Sequence, residues 1–142
     1  MSAGESVAVA VTFVWLGMVL AISFLEAPLK FRAPGVTVPI GLGIGRLVFR
    51  ALNTVEAALA GAVVVVLALD PPRLAAIVVL AVAVGVLATQ LAVVRPRLAR
   101  RSDAVLAGQD LPRSSAHHVY VALETAKVAT LLAGGVFLLA AA

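Results

Sequence analysis

The chain has 142 residues, enough for one domain. Hydrophobic residues make up 63% and charged residues 13%, with a mean hydropathy of +1.13. A soluble domain carries about 45–50% apolar and about 25% charged residues, so the apolar excess must face lipid. The net charge is +4, but these charges flank hydrophobic stretches and form no polar reading surface, which excludes a nucleic-acid partner. With no cysteine, disulfides, thiolate metal sites and thiol catalysis are excluded too. Nine of the basic residues are Arg and two are Lys (Lys30 and Lys127). With so much Ala and Val, this composition points to a GC-rich bacterial genome.

Crossing about 30 Å of hydrocarbon takes roughly 20 apolar residues of helix. The first span predicted is Val7 to Pro28. It is not read as a signal peptide, because Glu5 precedes it, no Lys or Arg does, and the apolar run is too long. A loop then follows from Leu29 to Arg46, with Pro34, Gly35, Pro39, Gly41, Gly43 and Gly45. The spaced glycines lack the strand and the spacing of a nucleotide fingerprint, and predict a flexible or re-entrant loop. Leu47 to Leu69 is the second span, interrupted by Arg50, Asn53 and Glu56.

Asp70-Pro71-Pro72-Arg73 is predicted as a tight turn, since proline has no N–H and disfavours helix in the residue before it. The third span, Leu74 to Val94, carries no charge. Arg95 to His117 is the most polar stretch. Within it, Ser102-Asp103 is predicted to cap a short helix that ends at Gly108. Ser114 or Ser115 is predicted to cap the fourth span, His118 to Ala142, which contains Glu124 and Lys127. The fold class is therefore all-α: an integral membrane four-helix bundle forming one transmembrane domain. A transmembrane barrel would alternate apolar and polar residues in segments of about ten, which is not seen.

Two hairpins put the first and third loops on one side. Lys30, Arg32, Arg46, Arg95, Arg97, Arg100, Arg101 and Arg113 lie in those loops, against Arg73 alone in the second. Lys and Arg concentrate in cytoplasmic loops. The expectation is a multi-pass protein of the cell (plasma) membrane, with loops 29–46 and 95–117 cytoplasmic and both termini outside. The halves also look alike. Val48-Phe49-Arg50-Ala51-Leu52-Asn53-Thr54 matches Val119-Tyr120-Val121-Ala122-Leu123-Glu124-Thr125, and Pro28 ends the first span as Pro96 follows the third. This reads as two parallel helical-hairpin repeats, although Ala/Val/Leu-rich sequence also produces such matches by chance.

Polar residues inside the spans are the candidate site: Glu26, Asn53, Glu56, Gln90, Glu124 and Lys127. A charge at the bilayer centre costs at least about 2.5–3.5 kcal/mol, so these groups should converge inside the bundle. Glu56 with Lys127 is the first pair expected, at similar depth, and Glu26 with Arg50 the second. Such a cluster serves either as a ligand or proton pathway or as polar glue between helices. Trp15 is read as packing and Tyr120 as an interfacial anchor. His117-His118 opens the fourth helix. Neighbouring side chains on a helix diverge by about 100°, so the two chelate one ion poorly, and no metal site or cofactor is expected. Small residues four apart, Ala57/Gly61, Ala81/Gly85 and Thr130/Gly134, permit close helix approach.

Trp15-Leu16-Gly17, Glu26-Ala27-Pro28-Leu29-Lys30-Phe31-Arg32 and Gly45-Arg46-Leu47-Val48-Phe49 together resemble small bacterial four-helix membrane proteins of the domain-of-unknown-function group related to animal transmembrane protein 205. The resemblance covers about the first fifty residues. It implies four helices and no established enzyme activity. Glu26 followed by Lys30 also resembles the first-helix glutamate region of small multidrug resistance transporters. The chain departs from them in the position of Glu26 near its helix end, in its longer loops and in its charge asymmetry.

Three functional readings are open. The first is a non-enzymatic membrane protein acting through assembly, as a homo-oligomer or as an accessory subunit of a membrane-protein partner. The second is a small transporter or channel-like protein with a polar site in the cytoplasmic half of the bundle. The third is a haem-binding or redox membrane protein using His117 or His118.

Overall fold

The structure is a computed structural model describing residues 1–109 and 115–141. It is an all-α bundle of four long helices: α1 (Ala3–Arg32), α2 (Val38–Leu69), α3 (Leu74–Leu106) and α4 (Ser115–Ala140). Each is long and apolar enough to cross a membrane. No strand occurs among the described residues.

The helices overrun the predicted spans on the basic side. The expected loop after Leu29 is mostly helix, because α1 runs on to Arg32 and α2 begins at Val38 rather than Leu47. Likewise α3 runs past Val94 to Leu106. Hydropathy marks where a helix leaves the lipid, not where it ends. Gly41, Gly43 and Gly45 therefore sit in the first turns of α2 and not in a flexible or re-entrant loop. Thr37 caps that helix by accepting from the Ile40 N–H at 3.4 Å, and Pro39 occupies its first turn, where a missing N–H costs nothing. Gly41 is required by contact: the Phe31 ring occupies the space a Cβ would take.

The prolines read as span ends lie inside continuous helices. Proline leaves one helical acceptor unmet, and its ring crowds the carbonyl four residues back. The chain accommodates this by widening the turn before it. Leu20–Glu26 and Gln90–Val94 are π-helical, with the Ala27 N–H reaching the Ile22 carbonyl and the Arg95 N–H reaching the Gln90 carbonyl. Ser102 and Asp103 cap nothing, because they lie within α3. Gly108 does follow the end of that helix, in the left-handed conformation with φ +94°. The predicted cap at Ser114 or Ser115 lies outside the described residues and side chains.

At the opposite end, Ser2 and Glu5 form a capping box on α1, and the Ser2 hydroxyl donates to Asp70. The turn predicted at Asp70 to Arg73 is present and shares this end with the start of α1. In between, α1 packs on α2 and α4, and α3 packs on α4, whereas α2 and α3 barely touch along their apolar lengths. The core of this half is Ala8, Val63, Ala76, Leu80, Ala83, Leu131 and Leu138. The outward faces stay apolar, as lipid requires: Leu69 and Leu74 are exposed.

Two features recur in the halves, without establishing the expected repeat. Both first helices carry a π turn followed by proline, and Phe49 meets Tyr120 edge-on at 5.9 Å between ring centroids. The packing is not symmetric, since α1 lies against α4 while α3 stands off α2.

Close approach of α3 and α4 depends on Gly134, where a Cβ would run into Leu80. Gly134→Leu is expected to destabilise the bundle by about 1–3 kcal/mol, measured by denaturation in mixed micelles. Gly85→Ala, where nothing lies within 4 Å of an added Cβ, should not destabilise it.

Candidate functional site

Each of the four helices sends one side chain or more to a single buried cluster. The Lys127 ammonium on α4 has three N–H donors and meets three acceptors: Glu56 Oε1 of α2 at 2.7 Å, Glu124 Oε1 of α4 at 2.6 Å and Gln90 Oε1 of α3 at 2.7 Å. The Gln90 amide closes a ring by donating from Nε2 to Glu124 Oε1 at 2.7 Å. From α1, the Trp15 indole N–H donates to Glu56 Oε1 at 2.9 Å. Lys127, Glu56 and Trp15 are wholly buried, at 0% exposure. An ammonium leaves water at a cost of several kcal/mol, and only full ligation by acceptors offsets that. Here every donor is satisfied.

The charges do not balance. One ammonium faces two carboxylates, leaving one unit of negative charge if both are ionised. Glu56 Oε2, Glu124 Oε2 and the hydroxyl of Thr12, one turn from Trp15, are buried without a hydrogen-bond partner. A proton on either Oε2 atom brings the cluster to neutrality.

Toward the basic end the bundle opens into a cavity of about 1020 Å³. It lies where the helices run past the apolar spans, beside the part of α3, Gln90–Val94, that α2 hardly touches. Five cations line it, Lys30, Arg46, Arg50, Arg95 and Arg101, with Glu124 as the only carboxylate in its wall among the described residues. Lys30 lies 3.8 Å from Glu26, and Arg46 pairs with Asp103. Arg95 lies over two rings, 4.5 Å from the centroid of Phe49 and 5.0 Å from that of Tyr120. Glu124 thus belongs both to the cavity wall and to the buried cluster.

Of the six candidate residues, Glu56, Lys127, Glu124 and Gln90 meet. Asn53 and Glu26 do not. Asn53 is half-buried in the cavity wall, and Glu26 turns to Lys30, so the expected Glu26–Arg50 pair is not formed. Trp15, expected to serve only for packing, is a hydrogen-bond donor to the cluster. Tyr120, expected as an interfacial anchor, is buried at 7% exposure against Phe49 and Arg95. Sequence reasoning misses Arg95, which reads as a loop charge because Pro96 after it reads as a helix stop. His117 and His118 have their rings 5.8 Å apart. No group of three or more metal-ligating side chains occurs among the described residues. The chain matches no family model, no curated protein and no solved structure.

Lys127→Met strands two carboxylates in the interior and is expected to cost about 3–5 kcal/mol. Trp15→Phe removes one hydrogen bond to a charged group, about 1.5–3 kcal/mol. Denaturation in mixed micelles measures both. If Lys127→Met costs no more than Trp15→Phe, the ammonium is not the hub of the cluster.

Proposed function

We propose that the protein is a non-enzymatic multi-pass membrane protein of the cell membrane that binds a charged ligand at its basic end and acts as a small carrier. The observation supporting this most directly is the double role of Glu124. A ligand in the cavity acts on Glu124, and Glu124 is hydrogen-bonded to groups from α3 and α4 and joined through Lys127 to α2 and α1. Occupancy and helix packing are thereby linked. The cavity is lined by residues of the basic half, and the other half of the bundle is filled by apolar side chains. That favours a carrier with one access state over an open channel. Two carboxylate oxygens without a partner, Glu56 Oε2 and Glu124 Oε2, are the positions that suit a proton as co-substrate.

The basic end is assigned to the cytoplasm by its charge excess, with both termini outside. The likeness to the group related to transmembrane protein 205 is compatible with this reading and adds no activity to it. The assembly reading has one observation of its own. Gly61, Ala81 and Gly85 are exposed on outer faces and leave smooth surfaces for a second copy or a partner. The haem reading gains nothing from the placement of His117 and His118.

In proteoliposomes holding a pH-sensitive dye, wild type is expected to dissipate a proton gradient faster than empty liposomes. Glu56→Gln and Glu124→Gln should each slow it by about tenfold or more, the size of effect a positioned acid–base group carries. Decay equal to that of empty liposomes removes the carrier reading and leaves assembly, in which Glu56→Gln changes only stability or oligomer formation. Orientation is checked separately. The chain has no native cysteine, so Ser102→Cys and Ser2→Cys each give a single labelling site. An impermeant thiol reagent added to intact cells should label the second and not the first.

A further inference from the structure

Four polar groups buried without a full hydrogen-bond complement belong to residues lining this one cavity: Arg95 Nη2 and the neighbouring Tyr120 and Ser23 hydroxyls can donate, and Glu124 Oε2 accepts. Elsewhere in proteins buried donors find acceptors. Here the missing partner is to be sought in what fills the cavity. Arg95 is held over the Phe49 and Tyr120 rings, so its guanidinium plane is fixed in advance. A planar fork of this kind suits an oxyanion. Neither Arg95 nor Arg50 has a carboxylate partner among the described residues, whereas Lys30 and Arg46 do. Arg95 and Arg50 are therefore the part of the wall that suits a negatively charged acceptor, with the Glu124 carboxylate turned to the buried cluster.

The depth of the cavity says what kind of anion. About 20 helical residues cross the hydrocarbon, and counted from Leu69 along α2 they end near Arg50. Arg50 and Arg46 thus lie at headgroup level or beyond, and Ala57 lies about 10 Å deeper, at about 1.5 Å per residue. The cavity touches Arg46 and Ala57 alike, so one occupant spans the headgroup and acyl levels. Over this stretch α2 meets α3 beyond Arg95, with Arg46 paired to Asp103, but hardly touches Gln90–Val94, and Thr54 and Ala57 are exposed. The cavity is reached sideways from the lipid as well as from the water.

We propose that the cavity holds an anionic amphiphile with a phosphate-type headgroup. The headgroup sits on Arg95, Tyr120 and Ser23, and the apolar chain lies in the seam between α2 and α3. This deepens the carrier reading given above and rests on its assignment of the cavity as a binding site.

The test is native mass spectrometry of the protein released from nanodiscs of phosphatidylglycerol and phosphatidylcholine in equal parts. Wild type is expected to retain phosphatidylglycerol over phosphatidylcholine by about tenfold or more, and Arg95→Gln to remove most of that preference, as loss of one charge-assisted contact predicts. The pair Ser23→Ala with Tyr120→Phe keeps the packing volume and should also lower retention, which guards against a misfolded Arg95 variant. Arg100→Gln, at the same end but outside the cavity, should change nothing. Equal retention of the two lipids, or equal loss in the Arg100 and Arg95 variants, overturns the proposal. Displacement of the lipid by inorganic phosphate at equal concentration overturns the amphiphile and leaves free phosphate as the ligand. Selective retention without proton flux supports this proposal while removing the carrier reading, and flux with unselective retention does the reverse.

Discussion

A lysine ammonium in the middle of a lipid-facing bundle has to find three acceptors or the bundle does not close. Lys127 finds them on α2, α3 and its own helix, and Glu56 in turn takes the Trp15 N–H from α1. Lipid supplies no hydrophobic drive for helix association, because acyl chains are as apolar as leucine. The apolar half of the bundle is held only by packing, through contacts such as Gly134 against Leu80. The polar cluster adds direction. An apolar helix can slide or rotate at little cost, whereas a helix contributing Glu56 or Gln90 cannot move without stranding a buried charge. The register of all four helices therefore depends on one ammonium group.

The basic end obeys a different constraint. Past the lipid, helices need no longer be apolar, and here they continue. Two π turns, each followed by a proline, lie in α1 and α3 near the basic end. The turn in α3 comes just before Arg95, which lies over Phe49 and Tyr120. Glu124 sits where the two regimes meet, with its carboxylate in the cluster and its residue in the cavity wall.

Helix number, the tight turn at Asp70 to Arg73 and the Glu56–Lys127 pair are legible in the sequence. Each rests on a large energy: a charge in hydrocarbon is so costly that depth alone pairs the candidates. Direction around the helix is less legible. Asn53 lies three residues before Glu56, which turns it by about 60°, enough to move it from the cluster to the cavity wall. Glu26 lies at the end of a π turn, where a reading at 3.6 residues per turn loses phase. The full helix lengths are hidden because proline and glycine read as stops. Their accommodation, by a wider turn or by a ring packed on Gly41, leaves no mark on hydropathy. Residue type alone misplaces Trp15 and Tyr120: it sees two large rings, whereas the indole N–H and the buried phenol decide where they sit.

The register that sets Val48 against Val119, a shift of 71 residues, also sets Glu56 against Lys127. The central ion pair thus joins equivalent positions of the two halves. Two identical hairpins meeting around a two-fold axis would put the same residue at both places, so glutamate would face glutamate or lysine would face lysine. A complementary pair at a self-equivalent position is open only to two halves that differ in sequence, as a single fused chain allows. If the halves descend from one hairpin, the pair at 56 and 127 marks the step after which they could no longer be exchanged.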